Sequence, residues 1–408
     1  MKKVQGSRLG DSYKSFDVVV IGGGPSGLAL SLVLRRHTSL SVAVIEKTTY
    51  DMQRVGETLS PGTQSLLHYL GVWDSFKSSG HLTSFGSSAS WGTGDLTTRD
   101  FISTPYGNGW HLDRRRFDET LARHSEEAGV LILRDAVARC YPQAKGGWKV
   151  EAKGRIVYSQ IEAPFLVDAT GVTATVARCA GARRQVVDRM VGVSATIEFP
   201  EQAPSDTFTL VEAFEFGWLY SARLPGLRAI VVLMTDPDLV RAHGWANLER
   251  FWAVLRTSPH IWNRLRTGRP TGPPRVFLTF SAYLNPVYGR DWIAVGDAAA
   301  SYDPLSSSGI ARALDSGIRG ARALHRHLYL HQPDELAAHN RYIQTSYSEY
   351  LEQRHRYYAM ERRWPSSPFW VRRHRMHQMP EDHRPLWRTD YLPARLKDQL
   401  PEIGNGGM

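Results

Sequence analysis

The chain has 408 residues, 42% hydrophobic and 22% charged, enough to bury a large core and more than one typical domain needs. Its 50 basic and 40 acidic residues give a formal net charge of +10, yet no nucleic-acid recognition motif accompanies the excess. That balance excludes global disorder, and two cysteines, Cys140 and Cys179, without metal-binding spacing exclude a disulfide scaffold or a cysteine metal site. No run reaches the roughly 18 apolar residues of a membrane span. The expectation is a soluble, cytoplasmic protein with no metal and no nucleic-acid partner.

Residues 1–15 are polar and read as an irregular arm. Phe16 to Ile21 is a short β-branched run, the signature of a strand buried on both faces. Gly22-Gly23-Gly24-Pro25-Ser26-Gly27 follows at once and matches G-x-G-x-x-G, and Leu28 to Arg36 then repeats leucine at helical spacing. In that context Gly22 makes the turn, Gly24 admits a pyrophosphate, Gly27 lets helix pack on strand, and the helix N-terminus attracts the phosphates. Val42 to Ile45 is the second strand and ends on Glu46, 24 positions after Gly22, placed to accept ribose hydroxyls. The stretch predicts a bound dinucleotide.

Lys47 to Arg54 is a polar crossing, followed by Val55-Gly56-Glu57-Thr58-Leu59-Ser60-Pro61. From Gly80 to Gly109 serine, threonine and glycine dominate around Phe85, Trp91 and Phe101, which suggests exposed strands. A helix begins near Arg114 and Gly129 caps it; Val130 to Leu133 returns as a strand, and Trp148 to Ile161 reads as a hairpin. Phe165 to Gly171 is a strand running into a glycine turn, which places Asp168 and Gly171 at a strand's carboxyl end. Residues 181–287 look like antiparallel strands with one helix, about Leu248 to Leu265, and read as an inserted sheet facing substrate. Trp292 to Asp297 returns to the first domain, and Ile310 to His327 is a long helix. From Tyr342 the chain is helical, rich in arginine and tyrosine, and ends in a proline-broken, loosely packed tail.

Three separated pieces together resemble the flavoprotein monooxygenases of the para-hydroxybenzoate hydroxylase superfamily. They are the glycine turn with Glu46, Asp168-Ala169-Thr170-Gly171, and Gly296-Asp297 followed by Asp303-Pro304 and Gly309. The resemblance implies an α/β fold: a Rossmann-like FAD-binding domain of glutathione reductase type, an inserted antiparallel β-sheet substrate domain and a helical C-terminal region. Residues 14–80, 107–180 and 288–345 would form the first, 81–106 and 181–287 the second, and 346–408 the third. It also implies non-covalent FAD at Gly22, Gly24, Pro25, Ser26, Gly27, Glu46, Lys47, Arg54, Thr58, Arg114, Val137, Asp168, Gly171, Asp297, Pro304, Ser308, Gly309 and Ile310. O₂ would be the oxidant, and NADH, NADPH or an external flavin reductase the source of electrons. Aromatic hydroxylation through a flavin C4a-hydroperoxide would follow, with Glu57 the candidate for a protonation role.

The Val55 to Pro61 segment is similar to the Gly-Glu segment of the tryptophan-halogenase branch. Two features depart from halogenases. No Trp-x-Trp-x-Ile-Pro segment occurs, and Lys77, the only lysine between Thr48 and Ala144, falls several residues before the position of the lysine that holds hypohalous acid. Glu361-Arg362-Arg363-Trp364-Pro365-Ser366-Ser367-Pro368-Phe369-Trp370 resembles halogenase-like flavoproteins of tryptophylquinone biogenesis, cysteine tryptophylquinone included. That resemblance implies hydroxylation of a tryptophan in a partner polypeptide, and the arginines placed among Trp364, Phe369 and Trp370, with Arg372, Arg373 and Arg375, suggest a basic face that docks it. The alternatives are a hydroxylase or halogenase of a small or carrier-bound aromatic, and a non-catalytic flavin protein that delivers a partner.

Overall fold

The computed structural model describes residues 14–102 and 104–375. The arm before Lys14 and the tail after Arg375 lie outside the described residues. A six-stranded sheet runs in the order Tyr288–Gly289, Trp292–Ala294, Phe165–Asp168, Val18–Ile21, Val42–Ile45, Leu131–Leu133. All its pairings are parallel except the first, which is antiparallel. Strand alternation divides its residues between two cores. Val18, Val20, Val42 and Val44 face the helices Pro25–His37 and Gly309–Leu324. Val19, Ile21, Ala43 and Ile45 face a meander of Ala136–Pro142, Trp148–Gly154 and Tyr158–Ala163. Lys14–Ser15, expected as part of an irregular arm, pairs in parallel with Ile161 and Glu162.

An eight-stranded sheet takes its strands from two stretches of chain, Gly86–Asp100 and Val191–Leu278. Its order is Arg269–Pro270, Val191–Glu198, Arg228–Thr235, Gly217–Leu224, Thr209–Phe214, Gly86–Ser90, Thr97–Asp100, with Arg275–Leu278 also pairing with Val191–Glu198. One face is covered by Phe251, Leu255, Ile261 and Leu265. These lie on two helices, Leu248–Leu255 and Pro259–Leu265, where the sequence suggested one. Pro259 has no N–H to donate to the preceding turn and starts the second helix instead. Leu82–Ser84, expected in the sheet domain, pairs with Gly109–His111 in a small sheet that also holds Thr58–Leu59, so the larger sheet starts at Gly86.

The helix Glu335–Met360 bridges the two bodies, and Pro368–Arg375 follows it. Up to Arg375 the proline-broken segment is core, not loose tail: Tyr358, Phe369 and Trp370 have no exposed surface and join the core of the eight-stranded sheet. Among the described residues no helix is long and apolar enough to cross a membrane.

Candidate active site

The glycine turn lies between Val18–Ile21 and the helix Pro25–His37. Gly22 has φ +109°, and a Cβ on it would sit 2.2 Å from the Ala169 carbonyl oxygen. On Gly27 a Cβ would sit 2.1 Å from the oxygen of Gly22. Gly24 is different: no heavy atom lies within 4 Å of where its Cβ would be. The helix begins there without a side-chain cap and without an acidic residue in its first turn. Open space, unpaired N–H groups and a positive helix end fit a pyrophosphate.

Glu46 is 3% exposed. One carboxylate oxygen accepts from Gly23 N at 2.8 Å; the other accepts from Thr48 and from Arg54 Nη2 at 2.7 Å. Arg54 continues to Asp118, and Arg114 pairs with the same aspartate while donating to the Val55 and Gly56 carbonyls. This chain of charge fixes the Gly56-Glu57-Thr58 loop beside the glycine turn. Lys47 is exposed, and Val137 is 61% exposed on the strand next to Glu46, whose carbonyl accepts from Ala136 N at 3.0 Å.

Two expected cofactor residues turn their side chains into the protein instead. Asp168 has no exposed surface; its carboxylate accepts from Thr170 N, Thr170 Oγ1 and Ala177 N, so it shapes the turn rather than touching a ligand. Ser26 is buried against Gly296, where a Cβ would approach its Oγ to 2.4 Å. Gly171 lies at the end of that turn with φ +69°, and Ser308 holds Arg312 and Ser306.

A cavity of about 710 Å³ separates this domain from the eight-stranded sheet. Pro25, Arg54, Thr58, Arg114, Asp297, Pro304, Gly309 and Ile310 line one side, as expected; Trp218, Tyr220 and Phe277 line the other. The Asp297 carboxylate is open to the cavity yet deep in the protein. Its pKa is raised by burial, which the Arg184 and Arg114 charges oppose. Tyr220 donates to or accepts from Thr58 Oγ1 at 2.6 Å, joining the two walls.

Glu57 also lines the cavity and is 2% exposed. Its Oε2 accepts from Gly56 N at 2.9 Å, while Oε1 has no partner among the described residues. Burial lifts its pKa to about 7 from 4.5, against the opposing Gly56 hydrogen bond and the Arg114 charge. The folded pKa is the higher one, so the stabilisation is complete below pH 4.5 and is lost as pH rises through about 7. We expect the stability of Glu57→Gln relative to wild type to rise by about 3 kcal/mol across that window. Denaturant titrations at pH 5 and pH 8 check this; an unchanged difference would exclude a neutral Glu57.

The Pro304–Ser306 turn, before the Gly309–Leu324 helix, is clamped from the far end of the chain. Asp303 is 1% exposed and accepts from Tyr358 OH at 2.7 Å and Arg354 Nε at 3.1 Å, while its N–H donates to Tyr350 OH. Arg354 also pairs with Asp188 at 2.9 Å. The arginines expected to dock a partner need correcting. Arg373 is 2% exposed, pairs with Asp236 at 2.8 Å and lies 3.4 Å over the Phe369 ring. Arg372 bridges Asp236 and Asp238. Both hold the Pro368–Arg375 helix to the sheet; only Arg375 is exposed without such a role.

Sequence reading missed Trp218, Tyr220, Phe277 and Tyr302 in the cavity wall. Period-two spacing of Trp218 and Tyr220 on one strand was the available signal. Lys77 pairs with Asp74 at 3.0 Å on the Trp73–Ser78 helix, away from the cavity, and no lysine lines the cavity among the described residues.

A nucleotide cradle opening onto a cavity beneath an antiparallel sheet defines an FAD-dependent oxidoreductase that works with O₂. The tryptophan halogenase family profile matches residues 17–102 and 97–392, and the chain belongs to that family. A protein named as an FAD-dependent oxidoreductase, LodB of Marinomonas mediterranea, is 30% identical over 88% of this chain and 97% of its own length. The 1H-pyrrole-2-carbonyl-[peptidyl-carrier protein] brominase of Pseudoalteromonas luteoviolacea is 23% identical over 76% of this chain and 78% of its own. Among solved structures, the myxobacterial chondrochloren halogenase CndH superposes with a TM-score of 0.79 at 26% identity, covering 88% of this chain and 86% of its own. The peptidyl tryptophan dihydroxylase QhpG shares the fold, with a TM-score of 0.69 at 23% identity over 88% and 78% of the two chains. Membership sets aside the non-catalytic delivery reading. The chemistry of the family runs on FAD, reduced by a separate reductase, and O₂. These likenesses establish the broader family, and halogenation is the activity named for several of its members.

Proposed function

We propose that this protein hydroxylates an electron-rich aromatic ring held between the Pro304–Gly309 turn and the Trp218–Tyr220 face of the sheet. The supporting observation is the cavity lining: an aromatic wall, one buried half-partnered carboxyl at Glu57, and no lysine among the described residues. FAD, when bound and reduced, supplies an electrophilic oxygen drawn from O₂. Trp218, Tyr220 and Phe277 orient the ring edge-on or stacked and keep water out. Oε1 of Glu57, held near neutral pKa, accepts the proton the ring carbon loses as aromaticity returns.

The relatives favour a small or carrier-tethered ring, and they supply a second reading, halogenation. Peptidyl tryptophan is supported by shared fold with QhpG. Oxygen is favoured over halogen because, among the described residues, no lysine ammonium faces the cavity to hold a hypohalous acid. With a flavin reductase, NADH, ¹⁸O₂ and bromide, small indoles and phenols should gain labelled oxygen and no bromine by mass spectrometry. Brominated product without oxygenated product would replace this reading with halogenation.

A further inference from the structure

Among the described residues the strand Arg275–Leu278 pairs on one side only, antiparallel to Val191–Glu198, with Val191 opposite Leu278 and Ser194 opposite Arg275. Thr279 N donates to Met190 O at 3.2 Å, so antiparallel alternation turns the backbone groups of Val276 and Leu278 outward. Both residues are exposed, at 50% and 57%, and both belong to the cavity lining. Phe277, between them, packs over Gly192 and lines the cavity wall. The strand is therefore a free sheet edge and the cavity rim at once. Arg269 and Arg275 stand on the two outer strands and Arg189 just before the strand they pair with, all three exposed and none with a carboxylate partner among the described residues.

We infer that this edge docks an extended, acidic segment of a partner polypeptide, which adds as a further strand and directs an aromatic side chain into the cavity. Main-chain hydrogen bonds to Val276 and Leu278 give affinity without sequence demands, as in other strand additions. The three arginines select negative charge and speed encounter. The inference rests on the proposed hydroxylation for what happens to the ring, and names a peptidyl aromatic as its source.

The test uses the FAD-loaded protein, a labelled acidic peptide with one tryptophan, and free indole as a separate substrate. Val276→Pro removes an outward N–H and is tolerated on an edge whose partnered side is untouched. Peptide affinity should fall roughly tenfold, while flavin content and the thermal midpoint stay at wild-type values. Arg189→Gln with Arg275→Gln should weaken peptide binding and flatten its salt dependence, and this variant decides the matter if Val276→Pro fails to fold. Unchanged peptide affinity in the folded variants overturns the inference, as does wild-type protein that binds no peptide. Indole left unmodified while the peptide still binds at this edge would sink the hydroxylation and leave the docking edge standing.

Discussion

A Gly24→Val protein is expected to fold and to purify colourless. The reason is the empty space at Gly24: a Cβ there has no heavy atom within 4 Å, so the fold tolerates a side chain, but valine fills the volume in front of the helix start. FAD affinity should fall by roughly a hundredfold or more, about 2.7 kcal/mol. Gly27→Val is the contrast. Its Cβ would collide with the backbone of Gly22, so the strand and helix must part and the protein should be unfolded or insoluble. Visible flavin absorbance and a thermal melt on the same sample separate the two outcomes. A folded Gly24→Val protein with full flavin content would show that the cradle is not where the pyrophosphate sits.

The second large effect is expected for Arg354→Leu. Its guanidinium lies between Asp303 and Asp188, and the side chains of all three are nearly or fully buried. Removing the cation leaves two carboxylates without it in low dielectric, a loss of about 3–5 kcal/mol. The Pro304–Ser306 turn loses one of its anchors at the same time, so flavin should be released at lower denaturant than unfolding requires. Arg372→Gln is the surface comparison, because Asp236 keeps Arg373 and the change should be within about 1 kcal/mol. Denaturant midpoints measured by flavin fluorescence and by circular dichroism distinguish the two variants. Coincident, unshifted midpoints for Arg354→Leu would refute the clamp.

The parallel sheet and the glycine turn were legible because their signals are local. A β-branched run, fixed glycines and a carboxylate at a set distance lie within about thirty residues of one another. The cavity wall was not, because Trp218 and Phe277 come from strands far apart in sequence, and only sheet register sets them in one row, across Met234 and Gly192. Asp168 shows the converse limit. A motif can place a carboxylate at a strand end, but only its surroundings reveal whether it turns toward ligand or backbone. The C-terminal arginines misled for the same reason: charge density in sequence carries no record of Asp236, more than a hundred positions earlier, which neutralises two of them.

The clamp on Asp303 also sets the order in which the protein becomes competent during its own synthesis. The glycine turn leaves the ribosome early, with the first strand and helix, and the groups that brace and pack it, Asp118 and Ala169, have followed by about residue 170. The turn on the other side of the cleft has no fixed position until Tyr350, Arg354 and Tyr358 have followed it and the helix carrying them has packed. A nascent chain can thus hold the nucleotide end of FAD well before it can grip the ring. Capture of the whole cofactor is a late event, coupled to docking of the helix Glu335–Met360, and a ribosome stalled before residue 350 should carry a chain that binds adenine nucleotides better than it retains flavin.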